Sequence, residues 1–444
     1  MENDPQAPPP GPTELHDPSR RAFLAHSALF AGAAAALSGC RTSGSGKLAV
    51  PRPGARAPLA DGEPVRIGVI GVGGMGGEHV GQLSQTRARG RADVELVAIA
   101  DPCSIRLGTW TQRAADLQGL HVDGYADHRA LLARRDVHGV LIATPEHQHA
   151  SVVLDAIAAG KDVYCEKPMT RTLDEALVVE EAVRRAGTVF QTGSQFVMQP
   201  KYAAARELVR SGAIGKPTLT QCSYCRNSKD GEWLYKIWPE VVPGKTLDWE
   251  AWLGGMPREP WNPELFFRWR RFARFSGGVV ADLLVHPITP LLTVVDAGWP
   301  VRVHAAGGRY VHRDMDNPDS TFLTIELERG HTLIAHGSTC NELGIDTIVR
   351  GHKGNLKLGG KDVVLVPEAT YAAEVEARTV ECAEVEDQDL LRVDWLSCIR
   401  TRERTAAPAE LGLQVMVIVD LAVRSLADGR AWEFDPETRE AARA

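Results

Sequence analysis

Asp282 and His286 stand four residues apart in the segment DLLVH, and Lys167 stands directly before Pro168 in a separate segment, YCEKP. On a helical turn, side chains at i and i+4 project to one side, so this carboxylate and imidazole can meet one ligand. An unperturbed imidazole titrates near neutrality, which makes His286 the natural general base for taking a proton from a hydroxyl. Asp282 can orient that imidazole or bind a substrate hydroxyl. An ammonium at Lys167 can donate to the same oxygen and stabilise the negative charge that develops there. Taken singly, each has an ordinary structural reading: a surface lysine, a core histidine, a helix-stabilising pair. The elements that carry them decide between the readings.

The clearest element begins at residue 65. Residues 65–70 (VRIGVI) form a short β-branched apolar run, the pattern of a buried parallel strand. Gly71-Val72-Gly73-Gly74-Met75-Gly76 follows, matching G-x-G-x-x-G, and leads into a helix-like stretch from 77 to 85. Gly71 permits the tight turn, Gly73 lets the backbone approach a pyrophosphate, and Gly76 lets the helix pack on the strand. The helix N-terminus offers free N–H groups and a positive dipole end to phosphates. The next apolar run, 94–100, ends in Asp101, close to where an acidic residue holds the adenosine ribose. A carboxylate there repels a 2′-phosphate, so NAD is favoured, with nearby Arg106 keeping NADP open. A third strand-like run, 137–143, leads to Thr144-Pro145 and His149, then a helix at about 150–159 and the segment 161–168. Strands alternating with helices at this spacing predict a doubly wound parallel sheet, with ligands beyond the strands' carboxyl ends. A dinucleotide at that edge supplies the hydride acceptor that oxidation of a secondary alcohol requires, and places its nicotinamide near Lys167.

The glycine loop, Thr144-Pro145, His149 and Cys165-Glu166-Lys167-Pro168 together resemble the glucose–fructose oxidoreductase and inositol dehydrogenase family (Gfo/Idh/MocA). Ser276-Gly277-Gly278 with Asp282 and His286 resembles its D-x-x-x-H segment, and 349–356 its G-x-K-G-x-L turn. Asp394-Trp395-Leu396 to Arg400, and Ala409-Glu410, resemble its C-terminal helices, so the likeness runs from residue 64 onward. The resemblance implies Lys167, Asp282 and His286 as the catalytic set. It implies cofactor contacts at Gly71, Gly73, Gly74, Met75, Gly76, Asp101, Thr144, Pro145, His149, Glu166, Lys167 and Gln195, with no metal. It also implies a homo-oligomer formed through the exposed face of a second sheet. Two departures stand out. Pro287 removes the N–H that would bond back to residue 283, so the helix must start near Pro287 or be kinked, with Pro290 beyond it. Val197 stands where many relatives carry an arginine after Gly-x-Gln, which leaves the substrate class open.

With 444 residues, 44% apolar and 24% charged, the chain has material for two domains. A net charge of −7 without a long basic run gives no footprint for nucleic acid, and eight cysteines are too sparse for a disulfide framework. Short alternating runs at 218–223, 301–309, 321–328 and 331–338 suit an open, largely antiparallel sheet with one covered face. The expected fold is therefore α/β: an N-terminal Rossmann doubly wound domain at 63–188, followed at 189–444 by an α+β domain. That second domain carries a large, mostly antiparallel open sheet, with C-terminal helices packing back on the first. Residues 233–272 are rich in Trp, Phe and Arg. Such side chains either line a sugar site, by stacking and by guanidinium forks to hydroxyls or carboxylates, or build a local core under a long loop. Cys222 and Cys225, three apart on a strand, point to opposite faces and read as structural.

At the N-terminus, Arg20-Arg21 with Phe23-Leu24 resembles a twin-arginine export signal, and Leu37-Ser38-Gly39-Cys40 a bacterial lipoprotein box. Residues 1–40 are thus expected to be a signal that leaves Cys40 lipidated, and 41–62, rich in Pro, Gly and Ser, a flexible tether. The mature chain then sits on the envelope or periplasmic side, anchored to a membrane surface. Twin-arginine export carries folded proteins, and no free dinucleotide pool is expected outside the cytoplasm. A tightly held NAD (or NADP) turning over in a redox-neutral cycle on a carbohydrate is the expected arrangement. The alternatives are NAD-dependent glycoside cleavage through transient ring oxidation, and a non-catalytic lipid-anchored sugar-binding protein on the same fold. Relatives that cleave glycosides often lack the lysine, so Lys167 favours net oxidoreduction.

Overall fold

The computed structural model describes residues 48–444, so the twin-arginine motif, the lipoprotein box and Cys40 lie outside the described residues. Six short strands form the first sheet: β1 (Val65–Ile70), β2 (Val94–Ala100), β3 (Asp123–Tyr125), β4 (Gly139–Ile142), β5 (Asp162–Cys165) and β6 (Phe190–Thr192). Their order is β3-β2-β1-β4-β5-β6, and every pairing is parallel. Helices cover both faces of such a sheet, and every residue of β4 and β5 is buried. The strand order reverses between β1 and β4, and a ligand crevice opens at such a switch point. Gly71 follows β1 directly with φ of 85°, a left-handed turn that glycine adopts without a Cβ clash.

The second sheet adds β7 (Pro217–Cys225), β8 (Pro300–Gly308), β9 (Ser320–Leu327), β10 (His331–Ser338), β11 (Ile348–Gly351), β12 (Gly354–Lys357), β13 (Val363–Pro367), β14 (Arg378–Val380), β15 (Trp432–Asp435) and β16 (Glu440–Arg443). They run in the order β14-β13-β12-β11-β7-β10-β9-β8-β15-β16. Pairings are antiparallel except β7 with β10. Along β9, buried and exposed residues alternate, as one covered face requires. The helices Val285–Val295 and Ala409–Asp428 lie against this sheet, with Ser425 Oγ accepting from the Ala305 amide at 2.8 Å. The helix Asp387–Thr401 instead inserts Leu391, Trp395 and Ile399 into the first domain's core beside Val65, Ile67 and Tyr164. Among the described residues, no helix is long and apolar enough to cross a membrane, and no cluster of three or more His, Cys, Asp or Glu is placed to hold a metal ion.

Two expectations change. Residues 54–59, read from composition as part of a flexible tether, lie against the first domain. The Gly54 amide donates to Ile157 O at 3.3 Å, His138 Nε2 meets Pro58 O at 3.0 Å, and Arg56 reaches the helix-end carbonyls of Ala186 and Gly187. A guanidinium at a helix C-terminus satisfies free carbonyls and the dipole, which composition does not register. The second concerns Pro287. A π-helical turn, Val280–Leu284, runs into the α-helix Val285–Val295, so Pro287 falls in the first α-helical turn. There the π turn interrupts the regular i to i−4 ladder directly before Pro287, so the bond back to residue 283 that Pro287 lacks falls at an irregularity, and the helical path continues through Pro290.

Close packing at the glycine loop gives a direct test. A Cβ on Gly76 would fall against the Gly71 carbonyl oxygen, well inside contact distance. Gly76→Ala is expected to cost about 1–3 kcal/mol of stability by overpacking and to reduce nucleotide binding, measured by thermal unfolding and by titration with NAD.

Candidate active site

A cavity of about 1360 Å³ is lined by the glycine loop, Asp101, Thr144-Pro145, Glu166, Lys167, Gln195, Asp282 and His286, contributed by both domains. At the glycine loop, the helix Gly74–Thr86 starts without a side-chain cap, leaving its first N–H groups free for a ligand. A Cβ on Gly74 would meet nothing within 4 Å, so the loop presents bare backbone to open space. Met75 lines the same space, and its sulfur takes the Gln388 amide at 3.2 Å. Gly76 is the packing glycine. Asp101 accepts from the Val72 amide at 2.8 Å and the Cys103 amide at 2.8 Å. Burial raises its pKa, opposed by the charge of Arg106 and these two amides. The uncapped helix, the open glycine cradle and a buried carboxylate beside it fit a dinucleotide.

Glu166 and His149 line the cavity and are also bound within the protein. Glu166 Oε1 meets His79 Nε2 at 2.8 Å, and His79 Nδ1 lies 3.1 Å from Arg392, a fully buried chain of polar partners. Burial opposes ionisation of Glu166, but the His79 hydrogen bond and the nearby Lys167 outweigh it and keep the pKa low. His149 lies between two loops, Nδ1 at 2.8 Å from Pro168 O and Nε2 at 2.9 Å from Thr144 O. Burial lowers its pKa, so the neutral ring donates to one of these carbonyls at a time. It holds the Thr144 and Lys167 loops together, and its nitrogens are spent there. Thr144 Oγ1 is buried without a protein partner, while Gln195 begins the short turn Gln195–Met198 at the cavity wall.

Lys167 follows β5 across one residue, and the Lys167–Pro168 bond is cis. Its Nζ donates to Asp282 Oδ1 at 2.8 Å and to Asp282 O at 2.9 Å. Asp282 also accepts from Arg270 Nε at 3.0 Å and Trp233 Nε1 at 2.9 Å. Burial alone would raise its pKa; the charges of Lys167 and Arg270 win, and it is held far below the usual carboxylate range. Trp233 sits in the left-handed region with φ of 59°, an unfavourable backbone for an aromatic residue that its bond to Asp282 helps to hold. His286 packs against Phe196 and Tyr224, ring centroids 5.2 and 5.6 Å away. Burial, reinforced by Lys167, lowers its pKa to about 3, so the ring is neutral, and the same environment makes it a weaker base than a free imidazole. Asp282 does not hydrogen-bond His286; its oxygens are occupied by Lys167, Arg270 and Trp233. The orienting role read from the i,i+4 spacing therefore falls to the aromatic rings.

Sequence reasoning gave no role to Glu146 or Arg226, which no short motif marks, and took Trp233 and Arg270 only as members of the run 233–272. Glu146 accepts from Ser276 Oγ at 2.7 Å and the Gly277 amide at 3.1 Å, joining the two domains. The aromatic segment 233–272, which with its flanks forms a strap over 226–275, resolves into both of its readings. Trp249, Trp252, Phe266 and Phe275 build a separate core, Tyr235, Trp238, Trp269 and Arg270 line the cavity, and Trp252 and Phe266 do both. This strap is bound to the first domain by Ser104 N to Thr246 O at 2.8 Å, Asp248 N to Pro102 O at 3.0 Å and His147 Nε2 to Trp252 O at 2.9 Å. Arg106 lies over the strap's Phe266 ring at 4.5 Å, and a Cβ at Gly73 would stand 3.7 Å from its Nη1.

A parallel sheet in this strand order, with a bare glycine loop and a cavity shared with a second, largely antiparallel domain, defines a two-domain dinucleotide-binding protein. Residues 65–194 match the family model described as "Oxidoreductase family, NAD-binding Rossmann fold", and 253–434 match "Oxidoreductase family, C-terminal alpha/beta domain". The chain belongs to the Gfo/Idh/MocA oxidoreductase family. An inositol 2-dehydrogenase of Burkholderia multivorans is 37% identical over 169 residues, 38% of this chain and 48% of that protein. One from Rubrobacter xylanophilus is 33% identical over 190 residues, 43% and 48%. The chain thus spans about half the length of the curated relatives it matches. A levoglucosan dehydrogenase solved with NADH shares the fold at a TM-score of 0.64 and 21% identity, over 83% of this chain and 98% of that one. An oxidoreductase domain protein from Kribbella flavida does so at 0.64 and 19%, over 86% and 99%.

Glu146 gives the site a pH signature. Burial, opposed by Ser276 and Arg270, pushes its carboxyl up to about 7. Between its ordinary value and about 7 the folded state binds the proton that the unfolded chain releases, so this group's contribution to stability falls as pH rises through that window. The full loss is on the order of 3 kcal/mol. Urea unfolding of wild type and Glu146→Gln across pH 5–8 should show their stability difference moving against wild type up to about pH 7 and levelling above it; a constant difference rejects the assignment.

Proposed function

We propose that this chain is an exported NAD(P)-dependent oxidoreductase that oxidises a secondary alcohol of a sugar or sugar derivative by hydride transfer. The observation that carries this is the convergence, in one cavity with the glycine loop, of the Lys167 ammonium, its Asp282 partner and the neutral His286 ring. Bound nucleotide supplies the hydride acceptor. Gly71, Gly73, Gly74 and Met75 offer backbone to its phosphates, and Asp101 an acceptor to its ribose. That carboxylate favours NAD, since it would repel a 2′-phosphate.

His286 accepts the proton of the reacting hydroxyl, because its imidazole is neutral and lines the cavity. Lys167 donates a hydrogen bond to the same oxygen and stabilises the alkoxide charge as it forms. Asp282 keeps Lys167 charged and aimed, and takes no proton itself, since three donors hold it ionised. Gln195, Thr144 and Pro145 shape the wall beside them.

The strap supports retention of the nucleotide. Its hydrogen bonds to residues 102, 104 and 147, and the stacking of Arg106 on Phe266, cover the cavity from the second domain. Retention suits the export reading of Arg20-Arg21 and Cys40, in which substrate oxidation is balanced by reduction of a second carbonyl compound at the same site. Lys167 favours this net oxidoreduction over glycoside cleavage and over a binding protein without chemistry.

Protein purified and then denatured is expected to release NAD or NADP, identified by mass, and the native protein to gain absorbance at 340 nm when its sugar is added. A preparation that neither carries nor binds either nucleotide would sink the proposal. Lys167→Met should slow that absorbance change by at least about 100-fold while leaving the nucleotide bound, because Asp282 keeps Arg270 and Trp233 as partners. Unchanged turnover removes Lys167 from its role.

A further inference from the structure

Two guanidinium groups in the site have donors that its carboxylates do not take. Lys167, Arg226 and Arg270 line the cavity around Asp282, the carboxylates bonded to them are Asp282 and Glu232, and Glu166 faces Lys167 from beside it. Glu146 acts on Arg270 from nearby, but burial pushes its carboxyl up to about 7, so it carries only part of a charge at neutral pH. Arg270 uses Nε alone within the protein; among the described residues, no acceptor meets its two Nη groups. Its guanidinium lies over the Trp269 ring at 4.2 Å, and its backbone carbonyl is fixed by Asn317 Nδ2 at 2.8 Å. The side chain is 21% exposed and lines the cavity, where these donors are open to a ligand.

Arg226 is placed with similar care. Its amide donates to Ser338 O at 2.8 Å, Nη2 donates to the Tyr224 hydroxyl at 3.0 Å, and Nη1 to Glu232 at 3.3 Å; among the described residues no acceptor meets Nε, and the side chain is 42% exposed. Tyr224 connects this guanidinium to His286, against whose ring it packs. Both arginines therefore belong to the group around Asp282 and His286, whereas the glycine loop has Arg106 beside it. Val197, which lacks the guanidinium many relatives carry, packs among apolar residues, so the cations of this site come from other parts of the chain.

A guanidinium with free donors at a cavity wall presents a planar fork that matches a carboxylate in two parallel hydrogen bonds. The aromatic faces of Tyr235 and Trp269 beside it suit the C–H surface of a sugar ring. We propose that the substrate is an acidic sugar, a uronic or aldonic acid, whose carboxylate is held by Arg270 and Arg226 while its carbinol faces Lys167 and His286. This rests on the hydride-transfer reading for the carbinol, but the carboxylate site can be tested by binding alone.

The test uses the purified protein with its nucleotide. Calorimetric titration with D-glucuronate, D-galacturonate, D-mannuronate and D-gluconate is compared with D-glucose, D-galactose and D-mannose, while absorbance at 340 nm is followed in parallel. At least one acid should bind about tenfold or more tighter than its parent sugar, the scale of one added charge-assisted contact. Arg226→Gln should shrink that acid-to-neutral ratio about tenfold, and Arg226→Lys less; nucleotide content released on denaturation checks that each variant is folded. Neutral sugars binding as tightly as the acids, no acid binding at millimolar concentration, or a ratio unmoved in folded Arg226→Gln would overturn the proposal. An acid that binds without any absorbance change upholds the carboxylate site and counts against hydride transfer instead.

Discussion

The ion pair between Lys167 and Asp282 is the interaction on which the rest of the site depends. It joins the end of β5 in the parallel sheet to the π-helical turn of the second domain, both side chains about one-tenth exposed. Two charges taken this far from water lose hydration worth several kcal/mol each, and attraction offsets that only when remaining donors and acceptors are also met. Here they are: Asp282 takes Trp233 and Arg270 as well, and Lys167 takes the Asp282 carbonyl. The arrangement therefore demands that strap, turn and strand end arrive together. A π turn, which widens the helix locally, presents carboxylate and carbonyl to one ammonium while carrying Pro287 into the next turn.

The strap answers to the same demand from the other side. Its aromatic core, centred on Trp252, stacked on Trp249 at 4.7 Å, gives a long connection a packed interior of its own. That rigidity lets the strap hold Trp233 in a left-handed backbone, set Arg270 on Asp282 and press Phe266 on Arg106. Glu146 ties the next residues, Ser276 and Gly277, back to the first domain. The glycine loop, the Lys167–Asp282 pair and the wall of the cavity are thus joined through one set of contacts.

Much of this was legible in residue patterns because it is local. The β1–glycine–helix unit follows from an apolar run, φ above zero at Gly71 and the absence of a Cβ at Gly76, all set within a dozen residues. The alternation in β8, β9 and β10 likewise reports one covered face. What escaped depends on partners far apart in the chain. His149 lines the cavity, but its two nitrogens are also bound to Pro168 and Thr144. Residues 54–59 look like linker until Arg56 is seen on the end of the helix Leu173–Ala186.

The sequence by itself determined the class of fold and the glycine loop, because spacing along a strand or helix turn carries that information, and its family resemblance singled out Lys167, Asp282 and His286. The tertiary structure decided what those residues are chemically. A histidine whose unperturbed pKa is near neutrality is held neutral by burial, and a glutamate that spacing never marked is raised to about 7. It also decided that Asp282 serves Lys167 rather than His286, and that two arginines from distant segments face one cavity. Protonation and charge balance depend on desolvation and on neighbours brought together by folding, and neither is a property of residues adjacent in the chain.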